Sequence, residues 1–188
     1  MFGSWKNRLS PQQFSKHEDV YAAAHECKET ENPQSCIEIA YALVYAPMME
    51  RNPVLSRAIL TQLCSEQHYA PACRLLGDMV TDITRPKIED PVQESLAAYN
   101  AGCTVGDPIA CRLFAEKVAE NDLRGANHTL ILRYNTAAFQ MSENLLKHVP
   151  ENDLDQTAVQ RLPKGPRHYP IPTRSLDEVA DLHHNMFK

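Results

Sequence analysis

Six cysteines are the residues of this sequence best suited to chemistry, and they fall into three pairs of similar reach. Cys27 and Cys36 enclose eight residues, Cys64 and Cys73 eight, and Cys103 and Cys111 seven. A thiol can act as a nucleophile, a metal ligand or half of a disulfide. Structural zinc sites usually set paired ligands about two to four residues apart, and no pair here does so. His25 beside Cys27, and His183-His184 near the end, are the nearest approach to a ligand pattern, and isolated surface or packing histidines account for them. Six reduced core thiols would leave the shared spacing without a cause. No phosphate loop, dinucleotide glycine fingerprint, nucleophile elbow or metalloprotease helix occurs. The run His17-Glu18-Asp19 reads as a solvated helix start. The expectation is a protein that is not an enzyme, with no catalytic residue, cofactor or metal.

The elements that must hold the cysteines repeat with them. First members recur after 37 and 39 positions, second members after 37 and 38. A helical segment precedes each first Cys: Val20 to Cys27, Val54 to Cys64, Val92 to Cys103. Leu55, Ile59, Leu60 and Leu63 fall on one helix face, as do Leu96, Tyr99 and Cys103. Each second Cys opens another apolar helix, as in Cys36-Ile-Glu-Ile-Ala-Tyr-Ala-Leu. Asn32-Pro33, Ala70-Pro71 and Gly106-Asp107-Pro108 supply turn or helix-start signals between the two. Pro47, Asn52-Pro53, Pro86 and Pro91 are expected to mark the loops between units. Each unit is thus a helical hairpin, and three in series make a short all-α solenoid.

The run Ala-Gly-Cys-x-x-Gly-Asp-x-x-Ala-Cys from Ala101 to Cys111, Leu76-Gly77 and the three Cys pairs resemble the cysteine-rich branch of the Sel-one-like repeats over residues 18 to 120. Gly106 has no counterpart in the first two units, Ala115 stands where Gly77 would recur, and the family's Gly-x-Gly turn between repeats is missing. The resemblance implies that the two Cys of each hairpin are bridged: Cys27–Cys36, Cys64–Cys73 and Cys103–Cys111. Among the fifteen ways to pair six cysteines, the periodicity selects the same one. Closing a loop of about ten residues is worth ~2.7 kcal/mol in the chain-entropy model. Three such bridges reach ~8 kcal/mol before strain, comparable with the about 5–15 kcal/mol of a whole domain.

The ends differ from the repeats. Residues 1–17 read as a polar N-terminal arm. Lys6, Arg8 and Lys16 precede the first acid, Glu18, a faint trace of a mitochondrial presequence, but a polar start explains the same residues and is the expectation. Residues 121–149 form a capping helix, with Leu130, Ile131, Tyr134, Ala138, Met141, Leu145 and Leu146 at helical spacing as its core stripe. Asn127-x-Thr129 matches a glycosylation acceptor, but helix-start chemistry is the reading adopted. Residues 150–188 form a Pro-rich, locally basic extended tail. Its scattered apolar residues, Leu162 among them, could dock on a partner or back on the solenoid; partner docking is the expectation, through Tyr169, Ile171, Leu176 and Phe187 above all.

A formal charge of −5 and a pI near 5.9 give no footprint for nucleic acid or an anionic membrane. The longest apolar stretch, Ile37 to Met49, falls short of the ~20 residues of a membrane span, so a soluble protein is expected. Helical solenoids are ordinarily binding platforms, which makes other proteins the expected partners. Disulfides need an oxidising compartment, yet no secretory signal is read at the N-terminus. The mitochondrial intermembrane space, entered through a disulfide relay, reconciles the two. The expected function is a non-catalytic interaction scaffold, an accessory subunit or assembly factor of a respiratory-chain complex. The alternative is a secreted or periplasmic bacterial cysteine-rich repeat protein with a binding or weak β-lactam-related activity.

Overall fold

The computed structural model describes residues 17–47, 49–82, 88–122, 126–149 and 156–165, and every regular element among them is an α-helix. In chain order these are α1 (His17–Thr30), α2 (Pro33–Tyr45), α3 (Pro53–Ser65), α4 (Ala70–Asp82), α5 (Pro91–Thr104), α6 (Pro108–Asn121), α7 (His128–His148) and α8 (Gln156–Arg161). Four helices start on an Asx-Pro step. The Asn or Asp oxygen accepts an orphan backbone N–H, and proline at the first helical position has no N–H to lose. Asn32 accepts from Gln34 N at 3.0 Å, Asn52 from Leu55 N at 3.0 Å, Asp90 from Gln93 N at 3.0 Å and Asp107 from Ile109 N at 2.8 Å. Pro53 and Pro91, expected in the loops between units, are therefore the first residues of α3 and α5. A proline preceded by a capping residue opens a helix as readily as it breaks one.

The hairpins are α1–α2, α3–α4 and α5–α6, each closed by its own disulfide with Cα–Cα separations of 4.8, 4.8 and 4.5 Å. Every turn inside a hairpin carries one residue of positive φ: Glu31 at 51°, His68 at 52° and Gly106 at 95°. Each stands five residues before the second Cys of its pair. Gly106 thus has structural counterparts after all. Glu31 and His68 adopt a left-handed conformation that glycine would take without a Cβ penalty, which hides the repeat in the residue types while the backbone keeps it.

Helices pack mainly on their neighbours in the chain, with α3 also touching α5 and α4 touching α6. This is the nearest-neighbour order of a solenoid. The junctions between hairpins repeat as well. Ser56 donates to the Ala40 carbonyl at 2.6 Å and Ser95 to the Gly77 carbonyl at 2.9 Å. Both serines are fully buried and stand eight residues before a first Cys, and both acceptors stand four after a second Cys. The side chain four residues before the first Cys is Leu60 in one junction and Tyr99 in the other. Leu60 shares the central core with Ala40, Leu63 and Met79. Tyr99 instead lies so close to Gly77 that a Cβ there would sit 2.4 Å from its ring. A larger ring on α5 is matched by a missing methyl on α4, and Ala115, buried at the third equivalent position, needs no such relief.

A buried ion pair crosses the same junction. Arg74 Nε of α4 lies 2.5 Å from Asp107 Oδ2 at the start of α6, with side chains 3% and 1% exposed. The other Asp107 oxygen accepts from Ile109 N and Ala110 N, so one carboxylate both pairs a buried arginine and caps α6.

The C-terminal region departs from expectation in three respects. The capping helix starts at His128, because α6 continues to Asn121. Of its apolar stripe, Ile131, Ala138 and Leu145 are core, whereas Leu146 is 51% exposed. Within the segment expected to be extended, α8 forms, and Val159 and Leu162 pack back onto Ile109, Leu145 and Val149. Leu162 therefore serves this chain's own core. The tail residues Tyr169, Ile171, Leu176 and Phe187, together with residues 1–16, lie outside the described residues.

Candidate interaction face

All six cysteines are spent on bridges, so none is left for chemistry. Cys73 and Cys111 are fully buried, while Cys27 is partly exposed at the first hairpin. His25 is exposed, and among the described residues no group of three or more His, Cys, Asp or Glu could hold a metal ion. His183 and His184 lie outside the described residues.

Among the described residues, two hollows lie against the first helices of the second and third hairpins. Counting back from the first Cys, positions 10, 7, 6 and 3 are Val54, Arg57, Ala58 and Thr61 on α3, and Gln93, Leu96, Ala97 and Asn100 on α5. Each set line a hollow, of about 500 Å³ on α3 and about 490 Å³ at α5. Position 6 of the first unit is Tyr21, 73% exposed. The repeat register therefore places Tyr21, Ala58 and Ala97 equivalently, on one run of helix faces. Between the two hollows Arg57 reaches across to Glu94 with Nε and Nη2, each 2.7 Å from a carboxylate oxygen. The forked geometry fixes α3 against α5 and cancels both charges.

The hollow at α5 is bounded by more than one helix, because α6 and α7 also contribute to its lining. Phe114 of α6 and Tyr134 of α7 stack with ring centroids 4.1 Å apart and planes at 28°. The Tyr134 hydroxyl meets Asn100 Oδ1 at 2.5 Å, tying α7 to α5. Leu96, Phe114, Leu130 and Tyr134 pack only partly against Ala115, Val118 and Ile131, leaving apolar surface on the floor. The start of α7 is held by Asp122, whose two oxygens accept Ala126 N at 3.0 Å and Asn127 N at 2.8 Å. Asn127 stands at the N-cap position but makes no side-chain cap bond. The helix-start role expected of it is filled by Asp122, and the Asn127 side chain is left at the groove's end. Among the described residues that line this groove, Tyr134 carries the one ionisable side chain.

Sequence reasoning assigned Leu130 and Tyr134 to a core stripe and passed over Asn100 and Asn121. A usable sign existed in the repeat register, which puts Asn100 and Thr61 at the same exposed position. The wall contributed by α6 and α7 has no counterpart in the other units, so the repeat could not announce it. Among the described residues no helix is long and apolar enough to cross a membrane. Three disulfides fit an oxidising compartment. Comparison with protein-family models, with curated proteins and with solved structures finds no match to this chain.

Proposed function

We propose that the protein is a binding scaffold whose stapled helical hairpins present the first-helix face to another polypeptide. The observation that carries this reading is the walled groove on α5, where apolar and aromatic side chains stay accessible within a framework fixed by the Arg57–Glu94 fork, the Tyr134–Asn100 bond and the disulfides. In its specific form the scaffold is an accessory subunit or assembly factor of a respiratory-chain complex on the intermembrane-space side. Support for that form comes from the three bridges, which call for an oxidising compartment, and from the resemblance to cysteine-rich Sel-one-like repeats. The residues beyond Gly165, with Tyr169, Ile171, Leu176 and Phe187, form a second contact region in this proposal.

The test is migration of the epitope-tagged full chain on native gels after organelle fractionation, with thiol-alkylating mass measurement on the same material. The expected result is an intermembrane-space protein with no alkylatable cysteine that co-migrates with a large assembly. A free monomer in native material, or six alkylated cysteines, would rule out the subunit reading.

A further inference from the structure

We propose that the Cys27–Cys36 bridge is a thiol-exchange site: a dithiol reductant opens it ahead of the other two bridges, and its opening releases α1 from the solenoid. The site lies in the first hairpin and does not depend on what the scaffold binds.

A thiolate must reach a bridge sulfur to open it, so access decides which bridge reacts first. Cys36, Cys64, Cys73, Cys103 and Cys111 are all buried, whereas Cys27 is partly exposed. Position in the solenoid gives the reason. The backbone of α5 closes on the second bridge, where a Cβ added to Gly102 would lie 3.3 Å from Cys73 Cβ. Helix α7 closes on the third, with Tyr134, Ala138 and Met141 packed against Cys103 and Cys111, and Met141 Sδ 3.7 Å from Cys111 Sγ. In the first bridge Cys36 shares the central core with Leu63 and Tyr69, and Cys27 lies at the edge of that cluster. Helix α1 is the first of the described elements, so among the described residues no earlier hairpin covers its outer side.

One thiolate of the reductant attacks the Cys27 sulfur, forming a mixed disulfide and breaking the Cys27–Cys36 bond. Cys36 departs as a thiolate from the first turn of α2, where the N-terminal end of the helix favours negative charge, and then takes a proton. The reductant's second thiol attacks its own sulfur in the mixed disulfide, which frees Cys27 and leaves the reductant oxidised; both of its protons end on the two cysteines. With the bridge open, little holds α1. Among its described side chains Val20 and Ala23 are the buried ones, packed with Ile39 and Leu43 of α2 and with Ala24 at their edge. Glu26 adds two bonds beside the bridge, accepting from Asn32 Nδ2 at 2.8 Å and Ser35 Oγ at 2.6 Å, but it stands exposed to water. A detached helix of 14 residues is marginal in water, so α1 frays and Ile39 and Leu43 become an open apolar surface. Exchange with the oxidised form of the same class of reagent closes the hairpin again.

The experiment treats the full oxidised chain with dithiothreitol under native conditions, samples it over time, quenches in acid, alkylates the free thiols and maps them by peptide mass. Amide hydrogen exchange is followed on the species in which one bridge is open. The expected result is that Cys27 and Cys36 become alkylated about tenfold faster or more than either other pair, and that the α1 amides of that species exchange about tenfold faster or more than in the oxidised chain while α3 to α6 keep their protection. Brief exposure to glutathione, a monothiol, should place the first mixed disulfide on Cys27. A Cys27→Ala/Cys36→Ala variant should show the same α1 exchange without reductant, and the wild-type time course decides the matter if that variant does not fold. Three results overturn the proposal: another pair opening first or all three opening together, α1 amides that stay protected once their bridge is open, or a first glutathione adduct on any cysteine other than Cys27.

Discussion

Replacing Gly77 with alanine probes whether complementary volumes set the spacing of the second and third hairpins. On an ordinary helix this change is stabilising by up to about 1 kcal/mol, since glycine is the poorer helix former. At this position the new Cβ would lie 2.4, 2.7 and 2.9 Å from three carbons of the Tyr99 ring, where about 3.5–4.0 Å is the relaxed separation. The ring has little freedom to retreat. Tyr99 is 6% exposed, and its hydroxyl donates to Asp78 at 2.7 Å, a bond that a shift of the ring would stretch. Overpacking of this kind costs about 1–3 kcal/mol. A stretched bond to a carboxylate adds to that cost, so Gly77→Ala should destabilise by about 1–2 kcal/mol net despite its helix propensity. In a Tyr99→Leu background, which copies the Leu60 arrangement of the first junction, the same change should be neutral or stabilising. The assay is urea unfolding of the full oxidised chain followed by far-ultraviolet circular dichroism, for the four members of the cycle. A coupling energy of about 2 kcal/mol between the two sites is expected. Equal effects of Gly77→Ala in both backgrounds, or a stabilised single variant, would refute the volume-matching account.

Three further outcomes follow from the same geometry. His68→Gly should raise stability by about 0.5–1 kcal/mol by relieving its left-handed backbone, and Gly106→Ala should lower it by about 1 kcal/mol or more; both are read from urea midpoints at constant slope. Asp107→Asn keeps a good N-cap but removes the carboxylate charge from the buried pair with Arg74, and should cost about 1–3 kcal/mol, with Arg74→Met alone also destabilising and the two effects less than additive in the double variant; a loss under about 0.5 kcal/mol in Asp107→Asn would mean that the pair is solvated. Burial, reinforced by the Asp78 carboxylate, pushes the Tyr99 phenol well above its ordinary value of 10.0. The folded state therefore holds this proton after the unfolded chain has lost it, so the contribution is intact below pH 10 and stability falls above it by up to about 1.4 kcal/mol per pH unit; unfolding in alkaline buffers should show this decline and Tyr99→Phe should remove one proton's worth of it.

The hairpins were legible in the chain because two kinds of local information coincide in it. Apolar periodicity marks the helices, and the regular return of the cysteines marks where two helix ends must meet, so the element order and the bridges could be placed without coordinates. What misled the reading was also local. Pro53 and Pro91 were taken as breakers when their preceding Asn and Asp make them helix starts, and Gly106 looked unique because glutamate and histidine can be held at positive φ by the closed turn around them. Tertiary structure alone decided the features that depend on residues far apart in sequence. Tyr99 could not reveal that it needs Gly77 until α4 and α5 were packed, nor Arg74 that its partner is a capping aspartate 33 positions on. Leu162 folding back onto Ile109 and Leu145, and the groove walled by Phe114 and Tyr134, arise the same way. A helix's own period tells which face is apolar; whether that face is closed over or left open depends on the neighbour that arrives, and that is settled by packing.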